Sequence, residues 1–141
     1  DIDLSFLKKD VVLRKELENL DVKKFVFTNG STQHVKNITN ALGIADMFLD
    51  IHDIEDSKYQ PKPDAKAFDL MIDKFDIEPS ETLYIEDIAK NLSIGKKRGT
   101  LTCWLENTEH FGMIDSDKGF IDYKIKNLSS FLKQIRVIKS S

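Results

Sequence analysis

KFVFTNGSTQHVKNITNALG, residues 24–43, is the stretch on which the fold turns. Phe25, Val26 and Phe27 form a short apolar run that stops at Thr28-Asn29-Gly30-Ser31, the pattern of a strand entering a turn. Ser31 or Thr32 can cap the helix that follows, because a side-chain oxygen there accepts one of the helix's unpaired N–H groups. Val35, Ile38 and Leu42 recur at helical spacing, and Gly43 is a natural stop.

The flanks repeat this alternation. Val12, Leu13, Leu17 and Leu20 predict a helix over roughly 10–20. MFLDI, residues 47–51, reads as a second strand. Asp64 can cap a helix that carries Phe68, Met71, Ile72 and Phe75 on one side. TLYIE, residues 82–86, reads as a third strand, followed by a short helix to about Arg98. The Lys96-Lys97-Arg98 run before Gly99 fits a helix end, where cations complement the dipole, better than a nucleic-acid patch. TLTCWL predicts a fourth strand, residues 106–119 a polar loop and IDYKI a fifth strand. Leu128, Phe131, Leu132 and Ile135 mark a last helix packed on the core rather than on a membrane. Strands alternating with helices imply βαβ units and a mostly parallel α/β sheet.

The 141 residues suit one domain, 1–141, with a core of its own. A hydrophobic content of 40% with 32% charged residues is that of a globular chain, not a disordered one. A net charge of -3 argues against a nucleic-acid partner. No apolar run approaches the ~20 residues needed to span a bilayer, and the acidic, mixed start is no signal peptide. Cys103 lies alone in an apolar run, as a buried, reduced thiol of a cytoplasmic protein would. The chain starts at Asp1 without a methionine, as an excised or incompletely covered product would.

Ligands of parallel α/β sheets gather beyond the carboxyl ends of the strands. Thr28 stands at such an end. Its hydroxyl, with the backbone N–H groups of Asn29 and Gly30, can hold phosphate oxygens beside a helix N-terminus. The plainer alternative is a turn before a helix cap. Lys62 lies between Pro61 and Pro63, whose fixed φ angles stiffen the backbone that aims its ammonium; the alternative is a solvated loop lysine. Glu86 and Asp87 end the third strand, with Asn91 one helical turn later. Adjacent carboxylates repel unless a cation separates them, and Mg2+, which takes oxygen ligands and keeps waters, suits them. Otherwise Asp87 caps the helix and Glu86 points into water. Trp104 and Phe111 can flank a nucleobase, although a strand tryptophan is usually core.

The order of these parts resembles motifs two, three and four of the haloacid dehalogenase (HAD) superfamily. FTNGS with His34 following, then KP, then EDIAKNL resemble its pyrimidine 5′-nucleotidase-like branch. The resemblance runs through nearly the whole chain. It implies a Rossmann-like three-layer α/β/α core and a phosphomonoester hydrolase. Thr28, Asn29 and Gly30 would bind the phosphoryl group of a small molecule, a nucleotide among them. Lys62 would neutralise it and orient the nucleophile, and Asp87 with Glu86 would hold Mg2+.

One departure bears on mechanism. HAD enzymes carry Asp-x-Asp on a first strand upstream of the threonine, the first aspartate as nucleophile and the second as acid and base. Here DIDLS, with Asp1 and Asp3, has no apolar strand before it and leads into a helix. It resembles the segment between the family's cap domain and its threonine motif. The motif-one strand and the cap are therefore expected to be missing, leaving a partial core without its own nucleophile and inactive alone. In the family the missing strand lies between those ending in Thr28 and Asp87, so its loss would expose two edges and lower stability. A separate or cleaved N-terminal segment is the partner this implies. The other readings are an inactive remnant that still binds phosphate or Mg2+, and a receiver-like phosphoacceptor domain. Receivers place their acidic residues before the threonine and lysine, the reverse of the order here.

Overall fold

The computed structural model describes residues 7–107 and 109–140, without the side chains of 137–140. Asp1 and Asp3 lie outside the described residues. The chain divides between Glu55 and Asp56 into two compact units, and the last helix, from Leu128 on, belongs to the first.

The first unit opens with helix α1, Val11–Asn19, capped by Asp10, whose carboxylate accepts the Leu13 N–H at 3.0 Å. Leu13 and Leu17 face inward, and α1 packs on helix α6, Leu128–Ser140, which buries Leu132. Strand β1, Phe25–Phe27, passes through residues 28–31 into helix α2, Thr32–Leu42. Ser31 caps α2 by accepting the His34 N–H at 3.0 Å, and Gly43 ends it with φ 76°, a left-handed value that favours glycine. Strand β2, Asp50–His52, runs parallel to β1, with Phe25 opposite Asp50 and Phe27 opposite His52.

The expected strand over 47–51 is displaced. Residues 45–47 form one turn of 3-10 helix, and pairing begins where the Leu49 N–H reaches the Lys24 carbonyl at 2.8 Å. The cause lies outside the segment. Arg14 on α1 grips both Asp46 oxygens at 2.6 and 2.9 Å and also the Gly43 carbonyl, so these residues coil against α1. Local apolar content could not reveal that.

The second unit begins with a loop and helix α3, Ala65–Phe75. Asp64 caps it, accepting the Lys66 N–H at 2.8 Å. Its inward stripe is Ala67, Phe68, Met71 and Phe75; Phe68 is 1% exposed. Burying a side chain of that size contributes about 1.5–3 kcal/mol. Strands β3 (Leu83–Glu86), β4 (Leu101–Leu105) and β5 (Tyr123–Ile125) form a parallel sheet in that order. Leu83 pairs with Leu101 and Glu86 with Trp104. Between β3 and β4 the chain makes one 3-10 turn over 89–92 before helix α4, Ser93–Arg98, which Gly99 ends at φ 99°. The loop over 106–119 holds one short helix, α5, His110–Met113, which buries Gly112.

The result is an α/β chain of parallel strands in open, Rossmann-like sheets. Among the described residues, β1 is the first strand, and α1 leads into it. No helix among them is long and apolar enough to cross a membrane.

Candidate functional site

The expected residues fall into two groups, one in each unit. In the first unit, Thr28 follows β1, and its N–H donates to the His52 carbonyl at 3.0 Å, extending the β1–β2 ladder by one bond. The Thr28 hydroxyl oxygen accepts the Gly30 N–H at 2.9 Å. The hydroxyl proton is thereby directed elsewhere and remains a donor. The Gly30 amide is engaged by Thr28, so an anion would meet the hydroxyl more readily than that amide. A Cβ at Gly30 would make ordinary contacts, 3.4 Å from the Thr28 hydroxyl and 3.5 Å from the His34 ring, so the space here does not demand glycine. Asn29 is exposed. His34 sits in the first turn of α2, where its amide completes the Ser31 cap.

In the second unit, Lys62 and Glu86 meet. Lys62 Nζ is 2.7 Å from Glu86 Oε2, and their side chains are 7% and 8% exposed. Neither plainer alternative describes this pair, because the lysine is not solvated and the glutamate does not point into water. A buried ion pair holds only with good geometry and further hydrogen bonds. The Ile88 N–H and Asn91 Nδ2 each approach Glu86 Oε1 at 3.4 Å, and the Tyr84 hydroxyl is 3.5 Å from Oε2. Burial first, and then the Glu86 charge, push the Tyr84 hydroxyl well above the usual tyrosine range, so it stays protonated and can only donate to Glu86. Tyr84 was not a sequence candidate; its only signal is its place two residues before Glu86 on an inward-facing strand position.

Asp87 differs from its neighbour. It is exposed, and its carboxylate makes no hydrogen bond or ion pair among the described residues. It does not cap the following turn, which starts after Ile88 without a side-chain cap. Its carbonyl accepts the indole N–H of the buried Trp104 at 2.9 Å, which fixes the backbone at this strand end. Trp104 is therefore core. Phe111 on α5 is exposed, with the Lys90 ammonium 4.2 Å from its ring centre. His52 is buried, edge-on to Phe27, and His110 begins α5.

The donor set gives a partial fit to Mg2+. Among the described residues, no cluster of three or more His, Cys, Asp or Glu side chains could hold a metal. Asp87 offers one open carboxylate, whereas Glu86 is held by Lys62. Asn91 is 2% exposed, and its Oδ1 is buried without a hydrogen-bond partner among the described residues. Mg2+ characteristically takes one or two carboxylates and completes its shell with water and phosphate. A single open carboxylate meets that need in part.

The fold has known relatives. The L-2-haloacid dehalogenase from Xanthobacter autotrophicus, with chloropropionic acid covalently bound, superposes with a TM-score of 0.68 at 14% identity, over 87% of this chain and 59% of that one. The HAD-hydrolase YfnB from Bacillus subtilis, bound to magnesium, gives 0.68 at 23% identity, over 86% and 52%. A HAD phosphatase from Thermococcus onnurineus gives 0.67 at 21% identity, over 92% and 55%. These likenesses establish a shared fold, and the chain spans little more than half the length of each. The family model for haloacid dehalogenase-like hydrolases matches residues 5–99, well over half of the sequence. The chain belongs to the haloacid dehalogenase-like hydrolase family.

Proposed function

We propose that this chain supplies the phosphate-gripping and Mg2+-binding portion of a phosphomonoester hydrolase, with pyrimidine nucleotides as the favoured substrate class. The observation that carries the proposal is the buried Lys62–Glu86 pair beside the open carboxylate of Asp87, at the carboxyl end of β3. Held in one place by Glu86, the Lys62 ammonium supplies a fixed positive charge for an equatorial phosphoryl oxygen, which costs no reorganisation when charge develops. In the first unit, the Thr28 hydroxyl, its oxygen already fixed by the Gly30 amide, is a donor for a phosphate oxygen, and the amide of Asn29 lies next to it in sequence. Asp87 would hold the Mg2+, with Glu86 and Asn91, hydrogen-bonded to each other, fixing the end of β3. The metal would neutralise charge on the transferring group.

In this reading the attacking aspartate comes from sequence other than this chain, and Asp1 and Asp3 belong to the segment leading into α1. Purified 1–141 is then expected to bind inorganic phosphate and Mg2+ in titration calorimetry but not to turn over p-nitrophenyl phosphate. Thr28→Val and Lys62→Met should each weaken phosphate binding by about tenfold or more, the loss of one charge-assisted or anion-directed hydrogen bond. Turnover by 1–141 that disappears in Asp1→Asn would show that the nucleophile is present after all. Absence of any phosphate or Mg2+ binding would leave an inert scaffold.

A further inference from the structure

We infer that Asp53 is the positioning residue of the 28–32 loop, clamping it from the exit of β2 so that the Thr28 hydroxyl is held ready for an anion; this rests on the proposed phosphate-binding role of that loop. Three ties join the residues after β2 to the residues after β1, all within the first unit. The Thr28 N–H donates to the His52 carbonyl at 3.0 Å, and the Ile54 N–H donates to the Gly30 carbonyl at 3.1 Å. Between them, Asp53 Oδ2 accepts the Thr32 hydroxyl at 2.7 Å and the Thr32 N–H at 3.2 Å. Asp53 as a whole is only 8% exposed.

Chemistry makes this more than an ordinary turn. A carboxylate at the first N–H of α2 takes one of the helix's open donors and gains from the positive end of its dipole. It also places a negative charge beside a loop proposed to receive another anion, which by itself would weaken phosphate binding. Such a charge is tolerable where its hydrogen bonds fix the loop more than its field repels the ligand. Positioning and repulsion therefore predict opposite signs for its removal.

The test uses the full chain and inorganic phosphate. Asp53→Ala should weaken phosphate affinity by about tenfold, the loss of a charge-assisted bond pair. Asp53→Asn keeps one acceptor oxygen and should restore affinity to within about threefold of the parent. Thr32→Ala, which removes the hydroxyl from the other side and leaves the carboxylate, should show an intermediate loss and decides the matter if Asp53→Ala does not fold. Amide hydrogen exchange without ligand should rise at Gly30, Thr32 and Ile54 in Asp53→Ala, while the β3–β4 amides stay protected. Tighter phosphate binding in Asp53→Ala and Asp53→Asn alike, or unchanged exchange at 28–32, would overturn the clamp. If the parent chain binds no phosphate, the functional reading fails separately, and the exchange data still decide whether Asp53 holds the loop.

Discussion

Lys62 Nζ and Glu86 Oε2 lie 2.7 Å apart with both side chains almost wholly buried, so the Glu86 charge is balanced inside the fold by the ammonium. Removing Lys62 takes the cationic partner from the buried Glu86 carboxylate, and breaking a buried pair from one side typically costs about 3–5 kcal/mol. Lys62→Met should therefore destabilise the second unit by that order in urea unfolding. The double variant Lys62→Met, Glu86→Leu should recover most of the loss while phosphate binding stays about tenfold or more weaker than in the parent. A single variant as stable as the parent would mean that the pair contributes little to the fold.

Asp87 stands next to Glu86 and should behave oppositely. Its carboxylate is open and holds nothing in place among the described residues, and its structural bond runs through the backbone carbonyl to Trp104. Asp87→Asn should leave the urea midpoint within about 0.5 kcal/mol of the parent, as surface substitutions do. Mg2+ affinity by calorimetry should fall at least about tenfold, because the charged donor is gone. Unchanged Mg2+ binding would move the metal away from this residue.

Gly95 tests the packing beneath the site. A Cβ there would stand 2.6 Å from Tyr84 Cδ2 and 2.8 Å from Thr100 Oγ1, closer than atoms can approach. Tyr84 cannot readily yield, since its ring packs on Phe68 at 5.8 Å between centres and its hydroxyl faces Glu86. Gly95→Ala should cost about 1–3 kcal/mol, the usual range for overpacking. If its amide exchange pattern shows no change over β3, the helix has shifted rather than the tyrosine.

These residues also show what the sequence could disclose. Where a signal is local, it was legible: the Phe25–Phe27 run, the Ser31 and Asp64 caps and the Gly43 and Gly99 stops all act within one turn of themselves. Where a partner lies far along the chain, it was not. Arg14 reaches 32 residues to Asp46 and displaces β2, and Lys62 reaches 24 residues to Glu86. The family motifs pointed to Thr28, Lys62, Glu86 and Asp87 as residues, but neither the burial of the Lys62–Glu86 pair nor the openness of Asp87 follows from spacing. Asp53 showed only as an acidic residue after a short strand, and nothing local distinguishes it from the exposed Glu55 two positions on.

Acid sensitivity offers a test in another part of the second unit. Asp122 accepts from Lys96 Nζ at 2.6 Å and from the Thr102 N–H at 2.9 Å, and the Thr102 hydroxyl lies at 3.2 Å. The lysine bond foremost, and then the Thr102 bonds, hold its carboxyl below the usual aspartate value. A lowered folded value favours the charged form in the folded state. The stabilisation is therefore complete above the unfolded value of about 3.9 and is lost as pH falls through the folded value. Asp122→Asn should lower stability at about pH 7 by less than about 1 kcal/mol, because the Lys96 side chain is 43% exposed and water screens the pair. At about pH 3 the gap between parent and variant should narrow. A gap of the same size at both pH values would assign the stability to the Thr102 hydrogen bonds alone, which an asparagine oxygen also accepts, and not to the charge.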